Sequence, residues 1–332
     1  MKALVYTDVE TVEFQEFPDP EVGDGEVLVQ VKAVGICGSD LHAYLGHDSR
    51  RIAPLILGHE AAGFAVGGVF DGQAVVINPL VTCGQCAACV SGRSNICERR
   101  EIISMAPRQG AFAQYITIPE RNLVVVPEGM SLTKAALAEP IATGWHAVTA
   151  AAKACDRPLA ECRALVYGGG AVGLSAALSL YAQGCRNILL AETNELRRET
   201  VEKENICTTF NPSANNMADE SSVDVVIDCV GGRLTREGAS AAARPGGVIV
   251  HVGLMDSDDG IDIRKLTLQE ITFIGSYTYT MQDFQATVAA MRSGALGQLE
   301  WYAERQLSEG AGAFADLIGG RAASSKIILK PE

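Results

Sequence analysis

Basic residues are in the minority in this chain. Lys and Arg number 27 against 40 Asp and Glu, for a formal net charge of −13. Without a positive excess there is no electrostatic footprint for nucleic acid or for an anionic membrane surface. The first residues lack the basic head, apolar run and small-residue cleavage site of a secretory leader, so a cytoplasmic location is expected. No internal repeat or low-complexity tract interrupts the chain. Histidine is scarce, with five in all, and none falls between His59 and His146. A catalytic thiol in that interval would therefore lack a nearby paired base.

What is present is ample for two domains. The 332 residues are 48% hydrophobic and 20% charged, the profile of a globular chain with substantial cores. One stretch imitates a membrane span: 22 uncharged residues separate Arg163 from Arg186. The triplet Gly168-Gly169-Gly170 breaks it, and the part before the triplet reads as a buried strand of a parallel sheet.

Up to about Gly129 the texture is β-branched and rich in turns, as in "KALVYT", "EVLVQVKAVGIC" and "GAFAQYITIP". "SLTKAALAEPIATGWHAVTAAAKA" then reads as a helix capped by Ser131. From Arg163 onward strands alternate with helices, which implies a parallel sheet covered on both faces. The tail, from about Thr278, holds a helix in "MQDFQATVAAMRSG" and a closing strand in "KIILK".

"VYGGGAVG" places Gly168, Gly170 and Gly173 in G-x-G-x-x-G spacing between a strand and a helix. That context makes it a dinucleotide turn, with Ala171 and Val172 opening the helix on which a pyrophosphate would rest. Glu192 follows 19 residues after Gly173, at the end of the next strand. A carboxylate there accepts ribose hydroxyls and repels a 2′-phosphate, which favours NAD over NADP. Arg197 is read as flanking the adenosine.

Ten cysteines divide into six scattered ones and four in "VTCGQCAACVSGRSNIC". Cys83, Cys86, Cys89 and Cys97 run C-x2-C-x2-C-x7-C. A bacterial ferredoxin run would have three residues before its last cysteine and a proline after it; here there are seven, and Glu98 follows. Reduced cytoplasmic thiols disfavour disulfides. Four thiolates at short spacing fit a closed tetrahedral zinc. Elsewhere, Cys37 in "VGICGSDLHAYLG" and His59 in "LILGHEAAG" are ligand types suited to zinc, with Glu60 adjacent and Glu139 at the domain boundary. Beside a nicotinamide site they point to a catalytic zinc with an open position.

These motifs, with "EPIATGWHA" and "GGVIVHVG", resemble the zinc-dependent medium-chain dehydrogenases of alcohol, sorbitol and threonine type over nearly the whole chain. The resemblance implies an α/β fold: a Rossmann doubly wound parallel sheet domain plus a β-rich GroES-like catalytic domain. Residues 1–140 and 278–332 would form the catalytic domain, with a structural zinc lobe at about 80–100, and 141–277 the NAD-binding domain. The resemblance makes Cys37 and His59 catalytic zinc ligands, joined by Glu60 or Glu139. Ser39 takes the substrate proton, His42 passes it towards water, and Asp40 orients His59. Thr143, Val252, Gly253 and Leu254 line the nicotinamide half, with Val230 in the same cofactor site. Ser276 and Thr278 close over the ring. The cofactors implied are NAD and two zinc ions per chain, and the assembly implied is a homodimer or homotetramer.

The activity implied is hydride transfer between a secondary alcohol or polyol and NAD, giving the ketone. Two alternatives remain open at this point. One is oxidation of an amino-acid alcohol of L-threonine type, for which Arg50, Arg51 or Arg108 could grip a carboxylate; these arginines are read as solvated loop residues. The other is a non-catalytic protein that binds NAD and zinc. Two departures from the family pattern stand out. The stretch after His59 is short, with Gln73 in place of an acidic turn residue. Thr278-Tyr279 replaces an Arg-Tyr pair of sorbitol dehydrogenases, which weighs against sorbitol itself.

Overall fold

The computed structural model describes residues 1–212, 218–256 and 258–332. It divides into two compact units. One comprises Met1–Glu139, Thr280–Arg292 and Leu299–Glu332; the other comprises Pro140–Tyr279 and Ser293–Gln298.

The first unit is built on Glu26–Gly35, a strand whose alternating Val27, Val29 and Val31 are buried. Period-two burial of this kind packs one sheet face into a core. Glu60–Val66 pairs antiparallel along one side of it, followed outward by Ala74–Ile77 and Leu123–Val125. Lys326–Lys330 pairs on the other side and carries Tyr302–Gln306, while Tyr115–Pro119 pairs with the first half of the strand. The central pairing shifts register between Val31 and Ala33, a bulge that bends the strand towards its Cys37 end. A smaller antiparallel sheet orders Thr11–Glu16, Lys2–Asp8 and Leu55–Ile56. Phe112 and Phe314 meet edge to face, 6.0 Å between ring centres, in the core.

The second unit contains the expected doubly wound sheet. Six parallel strands lie in the order Thr208–Phe210, Asn187–Ala191, Arg163–Tyr167, Val223–Asp228, Ala243–His251, Thr272–Gly275. Taken in chain order this is 3-2-1-4-5-6, the dinucleotide-binding arrangement, and it reverses between Arg163–Tyr167 and Val223–Asp228. All six residues of Val223–Asp228 are buried, as expected for a central strand covered on both faces, and two of them are the carboxylates Asp224 and Asp228. The uncharged run before Arg186 resolves into the strand Arg163–Tyr167, the glycine turn and the helix Ala171–Ala182. Among the described residues no helix is long and apolar enough to cross a membrane.

Two local readings need adjustment. The segment capped by Ser131 is two helices, Leu132–Ala136 and Ala138–Ala154, rather than one. The Ser131 hydroxyl does accept the Lys134 N–H, at 3.2 Å. The tail also holds more than a helix and a strand: Tyr302–Gln306 and the helix Gly310–Ile318 lie between them.

Candidate catalytic and cofactor sites

Cys37 immediately precedes the helix Gly38–Tyr44, and its extended backbone presents the thiol beside the first turn. Asp40, fully buried, ties this turn to the next strand. One carboxylate oxygen accepts the Cys37 N–H at 2.9 Å; the other accepts the Gly58 N–H at 3.2 Å and stands 3.6 Å from His59 Nδ1. Burial alone would raise the Asp40 carboxyl, but His59, then Arg51 and the Cys37 N–H, hold it below its ordinary value. The sharp entry to His59 depends on Gly58. Its φ is +86°, and a Cβ there would sit 2.5 Å from the Phe112 ring.

Cys37, His59 and Glu60 present ligand atoms that all lie within 4.8 Å of one another. Glu60 is fully buried, yet its Oε2 has no hydrogen-bond partner among the described residues. Buried polar atoms left in this state mark a place where a further atom belongs. A thiolate, an imidazole and a carboxylate are the donor types a catalytic zinc takes, so the residues fit the ion. Glu139 is buried but stands outside this group.

Lys326, which the motif analysis did not single out, is buried against the trio. It donates to Glu60 Oε1 at 2.6 Å and to the Ile36 carbonyl at 2.9 Å. Burial would lower its ammonium, but Glu60, then Cys37 and Glu139, raise it above its ordinary value. The only sign in the sequence is a lysine placed directly before the apolar run of the strand "KIILK".

Ser39 and His42 share the helix that Cys37 caps, one turn apart, with Ser39 half-buried and His42 exposed. The reading of Arg51 as a solvated loop residue is corrected. Arg51 is buried and donates to the Ser39 carbonyl at 3.2 Å, to Asp48 at 2.9 Å and to Ser104. Five directional donors on a guanidinium make it a brace where a lysine would not serve. Arg108 is likewise held, between Glu26 and Glu101. Arg50 is the exposed one, paired with Asp48. Beyond His59 the shortened segment forms a tight hairpin, with the Gly67 N–H on Asp71 at 2.7 Å.

The four clustered cysteines converge. Four of their sulfur separations are 3.9, 3.6, 3.8 and 3.5 Å, and all four atoms lie within 4.8 Å of one another. A tetrahedron with sulfurs about 2.3 Å from its centre has edges of about 3.8 Å. The geometry is that of a metal cage, and all four thiols are free of disulfides. Hydrogen bonds from the backbone, first that of Gln85, pull the Cys83 thiol down to about 6, towards the thiolate that metals bind. The lobe is pinned to the unit by Arg121, which donates to the Thr82 carbonyl at 2.8 Å.

In the second unit the glycine turn follows Arg163–Tyr167. A Cβ at Gly173 would lie 1.8 Å from the Gly168 carbonyl oxygen, so strand and helix approach here only without a side chain. Gly170, Ala171 and Val172 start the helix Ala171–Ala182, and no atom would obstruct a Cβ at Gly170. That open side suits a pyrophosphate on the helix N-terminus. Glu192 accepts the Gly169 N–H and the Asn194 N–H, each at 2.7 Å, which fixes its carboxylate beside the turn. Arg197 is half-buried in the first turn of Glu195–Glu202. Val230, Val252 and Gly253 follow the next two strands, with Leu254 exposed. Ser276 and Thr278 follow Thr272–Gly275, and both hydroxyl oxygens are buried without a hydrogen-bond partner among the described residues. Thr143 lies on Ala138–Ala154 beside Gly144, whose missing side chain lets that helix touch the backbone at Ser175 and Ala176.

A buried zinc-type ligand group in a β-rich unit, with a dinucleotide turn on a doubly wound sheet, defines a metal-assisted nicotinamide oxidoreductase. Known proteins agree. The family described as alcohol dehydrogenase GroES-like domain matches residues 23–128, and that described as zinc-binding dehydrogenase matches residues 171–293. The chain is 34% identical to L-galactonate-5-dehydrogenase of Escherichia coli (strain K12), covering 84% of this chain and 83% of that protein. It is 33% identical to sorbitol dehydrogenase of Bacillus subtilis (strain 168), covering 84% and 82%. The solved alcohol dehydrogenase TADH from Thermus sp. ATN1 superposes with a TM-score of 0.90 at 26% identity over 100% of both chains. The chain belongs to the zinc-dependent medium-chain dehydrogenase family. It is a dehydrogenase acting on an alcohol carbon, dependent on zinc and a nicotinamide dinucleotide.

Proposed function

We propose that this enzyme oxidises a secondary hydroxyl of a neutral polyol or sugar alcohol to the ketone, with NAD as acceptor. The observation that carries the reading is the group of half-buried Cys37 with buried His59 and Glu60, one Glu60 oxygen unpartnered among the described residues. Cys37, His59 and Glu60 would hold the catalytic zinc; Cys83, Cys86, Cys89 and Cys97 would hold a second, structural one. When bound, the catalytic ion supplies Lewis acidity that lowers the pKa of the substrate hydroxyl, and the nicotinamide supplies the hydride acceptor. The chain supplies the rest. Ser39 takes the hydroxyl proton, and His42, one turn on and exposed, delivers it to water. Asp40 keeps the His59 ring in register. Glu192 favours NAD through its fixed negative charge beside the turn.

A neutral substrate fits the arginines better than an amino acid does. Arg51 and Arg108, the candidates for holding a carboxylate, are engaged with Asp48 and with Glu26 and Glu101. The similarity to a sorbitol dehydrogenase supports the polyol reading, while Thr278-Tyr279 weighs against sorbitol itself. The protein is read as a cytoplasmic homodimer or homotetramer, which light scattering tests. The test of function is NADH formation from a panel of pentitols, hexitols, vicinal diols, L-threonine and simple secondary alcohols with zinc fully loaded. A polyol should give the highest kcat/KM; turnover of L-threonine alone, or of nothing, would reject the assignment.

A further inference from the structure

Asp228 ends the strand Val223–Asp228 and is fully buried. Its carboxylate bonds the turn that follows the strand and the first turn of the helix Arg233–Ala242, and its carbonyl bonds a second loop. Oδ1 accepts the N–H groups of Val230 at 3.0 Å and Gly231 at 2.8 Å, and Oδ2 accepts the Thr235 hydroxyl at 2.9 Å. Its carbonyl oxygen accepts the N–H groups of Val252 at 2.9 Å and Gly253 at 3.0 Å. One residue thus holds the chain at 230–231 and again at 252–253.

The two loops also press on each other. A Cβ on Gly231 would lie 2.0 Å from the Gly253 carbonyl oxygen, and one on Gly253 would lie 2.1 Å from the Val230 carbonyl carbon. The N–H groups of Met255 and Asp256 donate to the carbonyls of Val230 and Gly231, each at 3.2 Å. A shift in either loop is therefore transmitted to the other. Charged acceptors hold backbone N–H groups more tightly than neutral ones, so a buried carboxylate is the strongest clasp available here.

We propose that Asp228 is a positioning residue for the nicotinamide half of the cofactor site: its carboxylate fixes the Val230–Gly231 turn and, through it, the backbone at Val252, Gly253 and Leu254. The proposal rests on the assignment of those residues as nicotinamide lining. It separates the two halves of the dinucleotide. The adenosine half is held by the glycine turn and Glu192, which Asp228 does not bond. Asp228 should therefore govern affinity for the whole dinucleotide and leave affinity for its ADP-ribose part untouched.

The near-isosteric Asp228→Asn is the variant of choice, since it preserves volume and offers one neutral acceptor. Asp224→Asn is the control. Asp224 is a buried carboxylate on the same strand that accepts the Arg163 N–H at 2.7 Å, away from the two loops. NADH binding would be measured by fluorescence titration of the zinc-loaded full chain, and ADP-ribose by its displacement of NADH. The NADH Kd of Asp228→Asn should rise about tenfold. Its KM for NAD should rise more than its kcat falls, with ADP-ribose affinity within twofold of the unsubstituted protein. Asp224→Asn should lower the unfolding temperature and leave the NADH Kd unchanged. The proposal is overturned if Asp228→Asn binds NADH like the unsubstituted protein, if NADH and ADP-ribose weaken together, or if both variants raise the Kd alike. An unsubstituted protein that binds ADP-ribose but gains nothing from the nicotinamide would instead overturn the underlying assignment of the lining.

Discussion

Lys326 Nζ lies 2.6 Å from Glu60 Oε1 with both side chains closed off from solvent. Glu60 thereby divides its carboxylate: one oxygen is neutralised by the ammonium, and the other joins Cys37 and His59. Gly35 makes the arrangement possible, because a Cβ there would sit 2.0 Å from Glu60 Oε2.

Removing one partner of a buried pair leaves an uncompensated charge, which costs about 3–5 kcal/mol. Lys326→Met is therefore expected to lower the unfolding free energy of the zinc-loaded protein, measured by urea titration, by an amount in that range, with a correspondingly lower urea midpoint. Adding Glu60→Gln to it should restore much of the loss, because the stranded charge is gone. An unchanged midpoint in the single variant would show that Glu60 is satisfied without the lysine.

The two proposed metal sites imply a specific stoichiometry. Elemental analysis should find two zinc ions per chain, one in Cys37→Ala and one in Cys97→Ser. The losses should differ in consequence. Cys37→Ala should abolish turnover and leave NADH binding intact, whereas Cys97→Ser should chiefly lower the unfolding temperature. A structural four-cysteine zinc contributes folding free energy directly, so a strong chelator should destabilise the lobe before it affects the nucleotide unit. A single zinc that disappears with Cys37→Ala would refute the cage assignment.

The parts legible in the sequence were those with local pattern. The glycine turn, five of the six strands of the doubly wound sheet and the four-cysteine lobe each declare themselves within fewer than twenty residues; the three-residue edge strand Thr208–Phe210 is too short to do so. What was hidden was non-local. Lys326 meets Glu60 across 266 residues of chain, and only the pairing of Lys326–Lys330 with Glu26–Gly35 brings it near. Arg51 looked like a loop charge because nothing in "DSRRIAP" announces that its guanidinium turns inward to Ser39 and Ser104. Tyr302–Gln306, "YAERQ", has little apolar alternation because none of its residues is fully buried. Asp228 reads as a strand terminus until its hydrogen bonds are traced.

Glu192 is expected to set the choice of cofactor. Its carboxylate is held by two backbone N–H groups, so it cannot swing away from a bulkier ligand without losing both. Glu192→Ala should lower kcat/KM for NAD by about tenfold to a hundredfold, the cost of hydrogen bonds to a charged group. The same change removes the repulsion of a 2′-phosphate beside Arg197 and Arg198, so kcat/KM for NADP should rise. Steady-state kinetics with both cofactors decides it, and an unaltered NAD/NADP ratio would dismiss Glu192 as the discriminator.

Thr278 carries the most unusual backbone of the cofactor residues. Its φ is +45°, in the left-handed region that a β-branched side chain disfavours, and its hydroxyl is buried without a partner among the described residues. Strain of this kind costs about 1–3 kcal/mol and tends to sit where function holds it in place. Thr278→Gly relieves it, at the expense of a more flexible unfolded chain worth up to about 1 kcal/mol. The net expectation is a stabilisation of about 1 kcal/mol, read as a higher unfolding temperature. The same variant should raise KM for NAD, since the relaxed segment no longer holds one conformation beside Ser276. A lower unfolding temperature would mean that the surroundings of Thr278 favour the left-handed conformation with its side chain in place, and the strain argument would fail.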